Sequence, residues 1–198
     1  LPSFLKPFGT LAEGEPVAVA ELDDREVRVS LVTISGGKAA LSDADSFPIP
    51  GREYPAPLND VIYAAAELLS PLLNRATRLA LCLPFPVDWD GRGDACIRRF
   101  PGSMQVSDYE HIPVLASLAR ELTNRNGSVP PMVLVSEPNA ALLAASLEQP
   151  GQSRYLGLTW GSDVDMGFSA PGSIVLRQPG ISGELMLFTG GFSAAEWD

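Results

Sequence analysis

Residues 16–34 read PVAVAELDDREVRVSLVTI, and this stretch decides how the rest of the 198-residue chain is read. Residues 16–22 are nearly all apolar, as a central strand would be. Residues 26–34 alternate, with Val27, Val29, Leu31 and Val32 carrying the apolar load. Between the two runs lies a tight polar turn bearing adjacent carboxylates, Asp23 and Asp24, followed by Arg25. Gly36-Gly37 then tolerates positive φ, and residues 38–47 return as a third, more polar strand. Strands linked this closely predict an antiparallel meander.

Downstream, Pro48, Pro50, Pro55 and Pro57 exclude regular structure from a bridging segment. Asn59 or Asp60 is expected to cap a helix running to about Leu73, with Val61, Ile62, Ala65, Leu68, Leu69 and Leu72 on one face. Pro71 falls near its end, where it breaks the hydrogen-bond ladder. Residues 77–85 predict a buried strand, PVDWDGRGD a polar turn, and residues 95–100 a short strand. Pro113 suits the first turn of a helix reaching about Asn124, and Gly127 stops it. In PMVLVSEPNAALLAASLEQPG, an apolar strand (132–135) meets a polar elbow, Ser136-Glu137-Pro138-Asn139, and then a helix to about Glu148 capped by Asn139. Three short strands follow at 155–160, 164–169 and 173–176, with a last apolar run at 183–189. Strands and helices in this order predict an α/β mixed sheet with helices against its faces.

Composition narrows the partners. Apolar residues make up 45% of the chain, enough for a core, and its length suits one domain or two lobes of which one is small. The net charge of −10 argues against nucleic acid or an anionic membrane, which need clustered Lys and Arg. No apolar run reaches the ~18 residues of a membrane span, and no charged-then-apolar leader opens the chain. Cys82 and Cys96 are read as reduced thiols in a cytoplasmic protein, with a disulfide as the alternative. The single histidine, His111, cannot build a metal cluster, so no metal site is expected. The chain opens on Leu-Pro and ends on FTGGFSAAEWD, which suggests a portion of a longer protein, completed by a missing C-terminal lobe or by a second copy.

Four local texts, in order, resemble the hexokinase family of the actin-like ATPase superfamily. LPSF followed by Gly-Glu and a strand is similar to the family's LPTF or LPSY lead-in. LCLPFPVDWDGRGDACIRRFPG resembles the sugar-binding segment FTFSFPV…DKGILLTWTKGF, MVLVSEPNAALLAAS resembles VAMVNDTVATMIS, and LGLTWGSDVDMGF resembles VGLIVGTGTNACY. The resemblance covers residues 1–168. It implies the mixed-sheet actin-like ATPase (ribonuclease H-like) fold, with residues 1–150 as the small, sugar-binding lobe and 151–198 as the opening strands of a truncated second lobe. It also implies a hexose partner and Mg-ATP as cosubstrate.

Transferring a phosphoryl group to a sugar hydroxyl needs positioning, metal-assisted charge neutralisation and a base near the hydroxyl. The resemblance aligns ELDDREVRV with DLGGTNFRV, so Asp23, Asp24, Arg25 and Glu26 stand where Gly-Gly-Thr-Asn approaches the phosphates. Side chains fill the space that glycines leave open. One carboxylate about 5 Å from a like charge costs roughly 1–3 kcal/mol at an effective dielectric near 20–40. An ordinary solvated turn, an altered phosphate site and a two-carboxylate metal site are the alternatives here.

Glu137 aligns with the family's catalytic aspartate and is the candidate base, while a helix-capping role is the plainer alternative. Ser136, Glu137 and Asp165 are the candidate sugar-binding residues; Pro84 replaces a sugar-binding serine, and the Thr-Lys pair falls near Phe100-Pro101. Trp89 and Trp160 are read as packing rather than as sugar-stacking platforms. Three functions fit: a divergent hexose kinase whose chain alone is inactive, a non-catalytic sugar sensor or scaffold, and an interaction domain that kept only the fold.

Overall fold

The computed structural model describes residues 3–5, 12–36, 38–148, 156–160, 164–170 and 173–176. Ser3–Leu5 (β1) precedes the meander Val17–Leu22 (β2), Glu26–Ser35 (β3) and Lys38–Pro48 (β4). Ala56–Pro57 (β5) leads into Leu58–Leu73 (α1), followed by Arg78–Leu83 (β6), Val87–Trp89 (β7), Ala95–Ile97 (β8) and Val106–Ser107 (β9). Val114–Asn126 (α2), Met132–Ser136 (β10) and Glu137–Glu148 (α3) come next. Leu156–Trp160 (β11), Val164–Ala170 (β12) and Ser173–Leu176 (β13) close the described chain.

The larger sheet has five strands in the order β10-β6-β2-β3-β4. The meander is antiparallel as predicted, whereas β6 joins β2, and β10 joins β6, in parallel. Parallel pairing requires crossovers, and α1 and α2 supply them. Alternate residues of the strands (Ala18, Ala20, Leu22; Val27, Val29, Leu31; Leu79, Leu81, Leu83) turn to one buried face. With α1 and α2 they form one apolar cluster that includes Val61, Leu69, Leu118 and Leu122. Leu69 is fully buried, and burying such a side chain stabilises by about 1.5–3 kcal/mol. β2 is therefore buried at alternate positions rather than throughout, since Val17, Val19 and Glu21 are only half-buried.

The edge strand β4 is exposed along its whole length. Its ladder with β3 shifts register between Val29 and Leu31, Asp43 adopts φ 51°, and the Asp43 carboxylate pairs with Arg75 at 2.9 Å. A bulge and a charge on an exposed edge oppose pairing with another chain.

Four local expectations change. The proline-rich bridge is not free of regular structure, since Pro48 ends β4 and Ala56–Pro57 forms β5. Neither Asn59 nor Asp60 caps α1: the helix starts at Leu58, with Pro57 at the N-cap position and no side-chain cap. The physical reason is that Ala56–Pro57 is held as a short parallel strand against Val106–Ser107, so the chain enters the helix straight from a ladder. The segment PVDWDGRGD is not all turn, because Val87–Trp89 pairs with Ala95–Ile97. The turn shrinks to Asp90–Asp94, where the Asp90 carboxylate accepts hydrogen bonds from the N–H groups of Arg92 (2.6 Å) and Asp94 (3.1 Å). Lastly, Asn139 does not cap α3, which already begins at Glu137.

Pro113 stands at the N-cap position of α2 but has no side-chain donor or acceptor. A distant residue does the work: Asp94 accepts from the N–H of Leu115 (2.8 Å) and of Ala116 (2.9 Å). Gly127, at φ 77°, ends the helix and donates its N–H to the Thr123 carbonyl at 2.8 Å.

A second, four-stranded sheet has the order β1-β13-β12-β11. Its strands fall close to the predicted tail strands, and Ser3–Leu5 joins them by pairing with β13, a strand not foreseen in the lead-in. Residues 183–189 lie outside the described residues. The helix α3 lies between the sheets, touching β6 and β10 on one side and β11, β12 and β13 on the other. Among the described residues no helix is long and apolar enough to cross a membrane.

Because Asp94 caps α2 across a gap of some twenty residues, Asp94→Ala is expected to lower stability by about 1 kcal/mol. Asp94→Asn should recover part of the loss. Urea unfolding checks this, and an unchanged midpoint in Asp94→Ala contradicts it.

Candidate functional site

The parallel register brings three strand ends together. Glu21 of β2 lies opposite Cys82 of β6, Cys82 lies opposite Val135 of β10, and Ser136 lies opposite Leu83. Glu137 follows Ser136 as the first residue of α3. The carboxyl edge of an open α/β sheet is where such folds bind ligands, because the strands end there and helices begin.

Glu137 is exposed to solvent on one side, yet its carboxyl is held above the usual carboxylate range. Burial of the acid group against the elbow comes first among the causes, and the negative charges of Glu21 and Asp23 add to it. These effects outweigh the pull of the α3 N-terminus, which favours the anion. The arrangement gives a carboxylate with raised proton affinity at a strand end, which is what accepting a hydroxyl proton requires.

Asp23 behaves oppositely. Burial alone would raise its carboxyl, but hydrogen bonds from the backbone N–H groups of Glu26 and Arg25 and from Arg28 hold it below the usual range. Its Oδ1 accepts from Arg25 N–H at 2.6 Å and Glu26 N–H at 2.7 Å, while Arg28 Nη2 bonds Oδ2. The Asp23 N–H in turn donates to the Glu26 carbonyl at 3.1 Å. Asp23 is thus consumed in closing its own turn. Asp24 is looser, with Arg25 and Arg52 each 3.9 Å away. An open depression of about 1000 Å³ lies beside the turn, bounded by Arg28, Pro48, Arg52 and Glu53. Next to Arg52 in sequence, Gly51 at φ 90° passes so near Val106 that a Cβ would sit 2.5 Å from its side chain.

Behind Glu137, Ser136 and Asn139 are 2% and 1% exposed. Among the described residues, Ser136 Oγ and both amide atoms of Asn139 have no hydrogen-bond partner. Buried polar atoms in this state cost about 1–3 kcal/mol each and are commonly relieved by a ligand or water. Asn139 and Leu142 lean on β12 where Gly167 leaves room, since a Cβ there would sit 2.8 Å from Asn139 Oδ1 and 2.8 Å from Leu142 Cδ1.

Of the residues singled out from sequence, Ser136 and Glu137 meet at the elbow, and the charge of Asp23 reaches Glu137. Asp165 lies in β12 opposite Thr159, two residues before Gly167. Asp24 and Arg25 border the depression rather than the elbow. Trp89 packs against the core, consistent with a packing role. Cys82 and Cys96 are free and half-buried; burial, with Glu21 and Glu137 nearby, pushes the Cys82 thiol up to about 12. Such a thiol is protonated and unreactive. His111 occupies a turn at φ 62°. Sequence reasoning missed Glu21, Arg28 and Asn139 as site residues. Glu21 carried a signal, being the one acid in an otherwise apolar strand.

No family model matches the chain, and no curated protein matches it by sequence. Solved structures do. A hexokinase from Schistosoma mansoni complexed with glucose superposes with a TM-score of 0.71 at 21% identity, over 90% of this chain and 44% of that one. A ROK hexokinase from Thermus thermophilus follows at 0.56 and 24% identity, over 86% and 52%. A ROK family glucokinase from Streptomyces griseus in complex with glucose and AMPPNP gives 0.59 at 15%, over 85% and 49%. The chain therefore has the mixed α/β fold of hexokinases and ROK sugar kinases, and it spans about half the length of these structures.

Gly167→Ala is expected to drive β12 off Asn139 and Leu142 and to destabilise by about 1–3 kcal/mol. Gly102→Ala, with nothing within 4 Å, serves as the neutral control. Equal melting temperatures for the two variants contradict this contact.

The two carboxylates also predict opposite pH signatures. Asp23, with its folded value lowered, contributes stability above its unfolded value, lost as pH falls through the folded value. Asp23→Ala should remove that contribution, about 1–2 kcal/mol near neutrality after allowing for solvent at the turn. Glu137, with its folded value raised, opposes folding once ionised, so stability falls as pH rises from its unfolded to its folded value. Glu137→Gln should flatten that decline in unfolding measured from pH 3 to 8. A steeper decline overturns the assignment.

Proposed function

We propose that this chain is the hexose-binding part of a hexokinase-like protein, and that by itself it does not transfer phosphate from ATP. The observation that carries the reading is Glu137: a carboxylate of raised proton affinity, set at the shared end of β2, β6 and β10 beside the unpartnered Ser136 and Asn139. A sugar hydroxyl offers both a donor and an acceptor, and such an elbow accepts both. Glu137 takes the hydroxyl's proton-bearing side, and Ser136 Oγ is the nearest hydroxyl partner in sequence for a neighbouring oxygen.

The residues present do not fit the phosphates of Mg-ATP. The turn that aligns with the family's glycine loop is closed by Asp23 on its own backbone and on Arg28. Its N–H groups at Arg25 and Glu26 already donate to a carboxylate, so they are not offered to an incoming anion. No step through the nucleotide is therefore derived. This self-contained turn also supports a second reading, a sugar sensor or scaffold without catalysis.

Separate calorimetric titrations with glucose and with Mg-ATP test the proposal. Heat from glucose, weakened at least tenfold by Glu137→Ala, and none from Mg-ATP are expected. ATP-dependent glucose phosphorylation that disappears in Glu137→Ala overturns the inactive reading, and absence of hexose binding overturns the sugar site.

A further inference from the structure

Glu21, Asp23 and Glu26 come from β2, the turn and β3, yet their carboxylates converge on a single guanidinium. Arg28 lies opposite Glu21 in the antiparallel ladder, with Nη1 3.5 Å from Glu21 Oε2. Its Nε is 2.9 Å from Glu26 Oε1, and Nη2 bonds Asp23 Oδ2. Three acids against one base leave this corner net negative, and the corner adjoins the elbow: Glu21 stands in the cross-strand row Glu21, Cys82, Val135, and Glu137 follows Val135 by two residues, so that the charges of Glu21 and Asp23 are felt there.

We infer that Arg28 is a positioning residue for the sugar site: by gathering Glu21, Asp23 and Glu26 onto one planar fork, it sets the field in which Glu137 works. The inference rests on reading Glu137 as the group that receives the hydroxyl proton. The physical argument is one of partial neutralisation. Without a cation among them, Glu21 and Asp23 would act on Glu137 at full strength, and all three carboxylates would repel one another. With Arg28 in place, Asp23 and Glu21 are held in fixed positions and their combined field at the elbow is reduced but not cancelled.

An arginine suits this task better than a lysine. Its fork presents five donors in a plane and reaches three acceptors at once, where an ammonium is a single point charge. The cross-strand position matters equally, since the β2–β3 register holds Arg28 against Glu21 without needing the turn to close. Around Glu137 the described charged and titratable neighbours are Glu21 on β2, Asp23 in the turn and Cys82 on β6. The thiol of Cys82 stays protonated near neutrality and adds no charge. The variable part of the field is therefore the acid pair that Arg28 holds.

Carbon-detected NMR titration of the Glu137 carboxyl tests this in the wild-type chain, Arg28→Met, Arg28→Lys and Glu21→Gln. Arg28→Met should move the Glu137 midpoint to higher pH, and Glu21→Gln should move it lower. Arg28→Lys should lie between wild type and Arg28→Met, because it restores charge without the fork. An unmoved midpoint in folded Arg28→Met overturns the inference. Should Arg28→Met fail to fold, an unmoved midpoint in Glu21→Gln does the same. Glucose titrated into the same wild-type sample separates the two readings: absence of hexose binding sinks the proposed function, whereas the midpoint shifts judge Arg28 alone.

Discussion

Parallel pairing of β6 with β2 and of β10 with β6 ends three strands at one edge, and everything at the site follows from that register. Glu21, Cys82 and Val135 stand in one row across the sheet, and the next residues of β10 turn directly into α3. A slip of one residue would reverse the faces of a strand and send Glu21 into the apolar core. The apolar pattern forbids this, because Ala18, Ala20 and Leu22 must stay buried. The packing of α1 and α2 thus fixes the register, and the register delivers the carboxylates.

Charge then divides the edge into two unlike neighbourhoods. At the turn, Asp23 is stabilised as an anion by backbone N–H groups and Arg28, so it is spent on structure. At the elbow, none of the hydrogen bonds among the described residues is donated to the Glu137 carboxyl, and partial burial and like charge raise its proton affinity. Two acids of similar chemistry are thus set apart by what surrounds them, one lowered and one raised in proton affinity. The helix α3 links this to the second sheet, since its first two turns, which begin at Glu137, rest Asn139 and Leu142 against Gly167.

Much of this was legible from the residues. The meander, the strand–elbow–helix at 132–148 and the helix ending at Gly127 each carry a local signal of alternation, apolar run or glycine stop. Ser136 and Glu137 stood out as polar residues at the end of an apolar strand. Other features depend on contacts distant in sequence. Nothing near Pro113 indicates that Asp94 caps α2, and nothing in Ala56–Pro57 indicates its pairing with Val106–Ser107. The gathering of three acids by Arg28 needs the ladder to be known before it is visible. Short strands such as Val87–Trp89 are hidden for the same reason: a few residues of pairing hold only because the partner strand is already packed.

Under the proposed function, a hexose binds at the shared carboxyl edge of β2, β6 and β10. Backbone amide NMR during a glucose titration addresses it most directly. Saturable shifts are expected to cluster at Glu21, Cys82 and Ser136 to Asn139, with the α1 and α2 amides unchanged. Saturable shifts confined to the exposed β4 edge or to the helical face would contradict it.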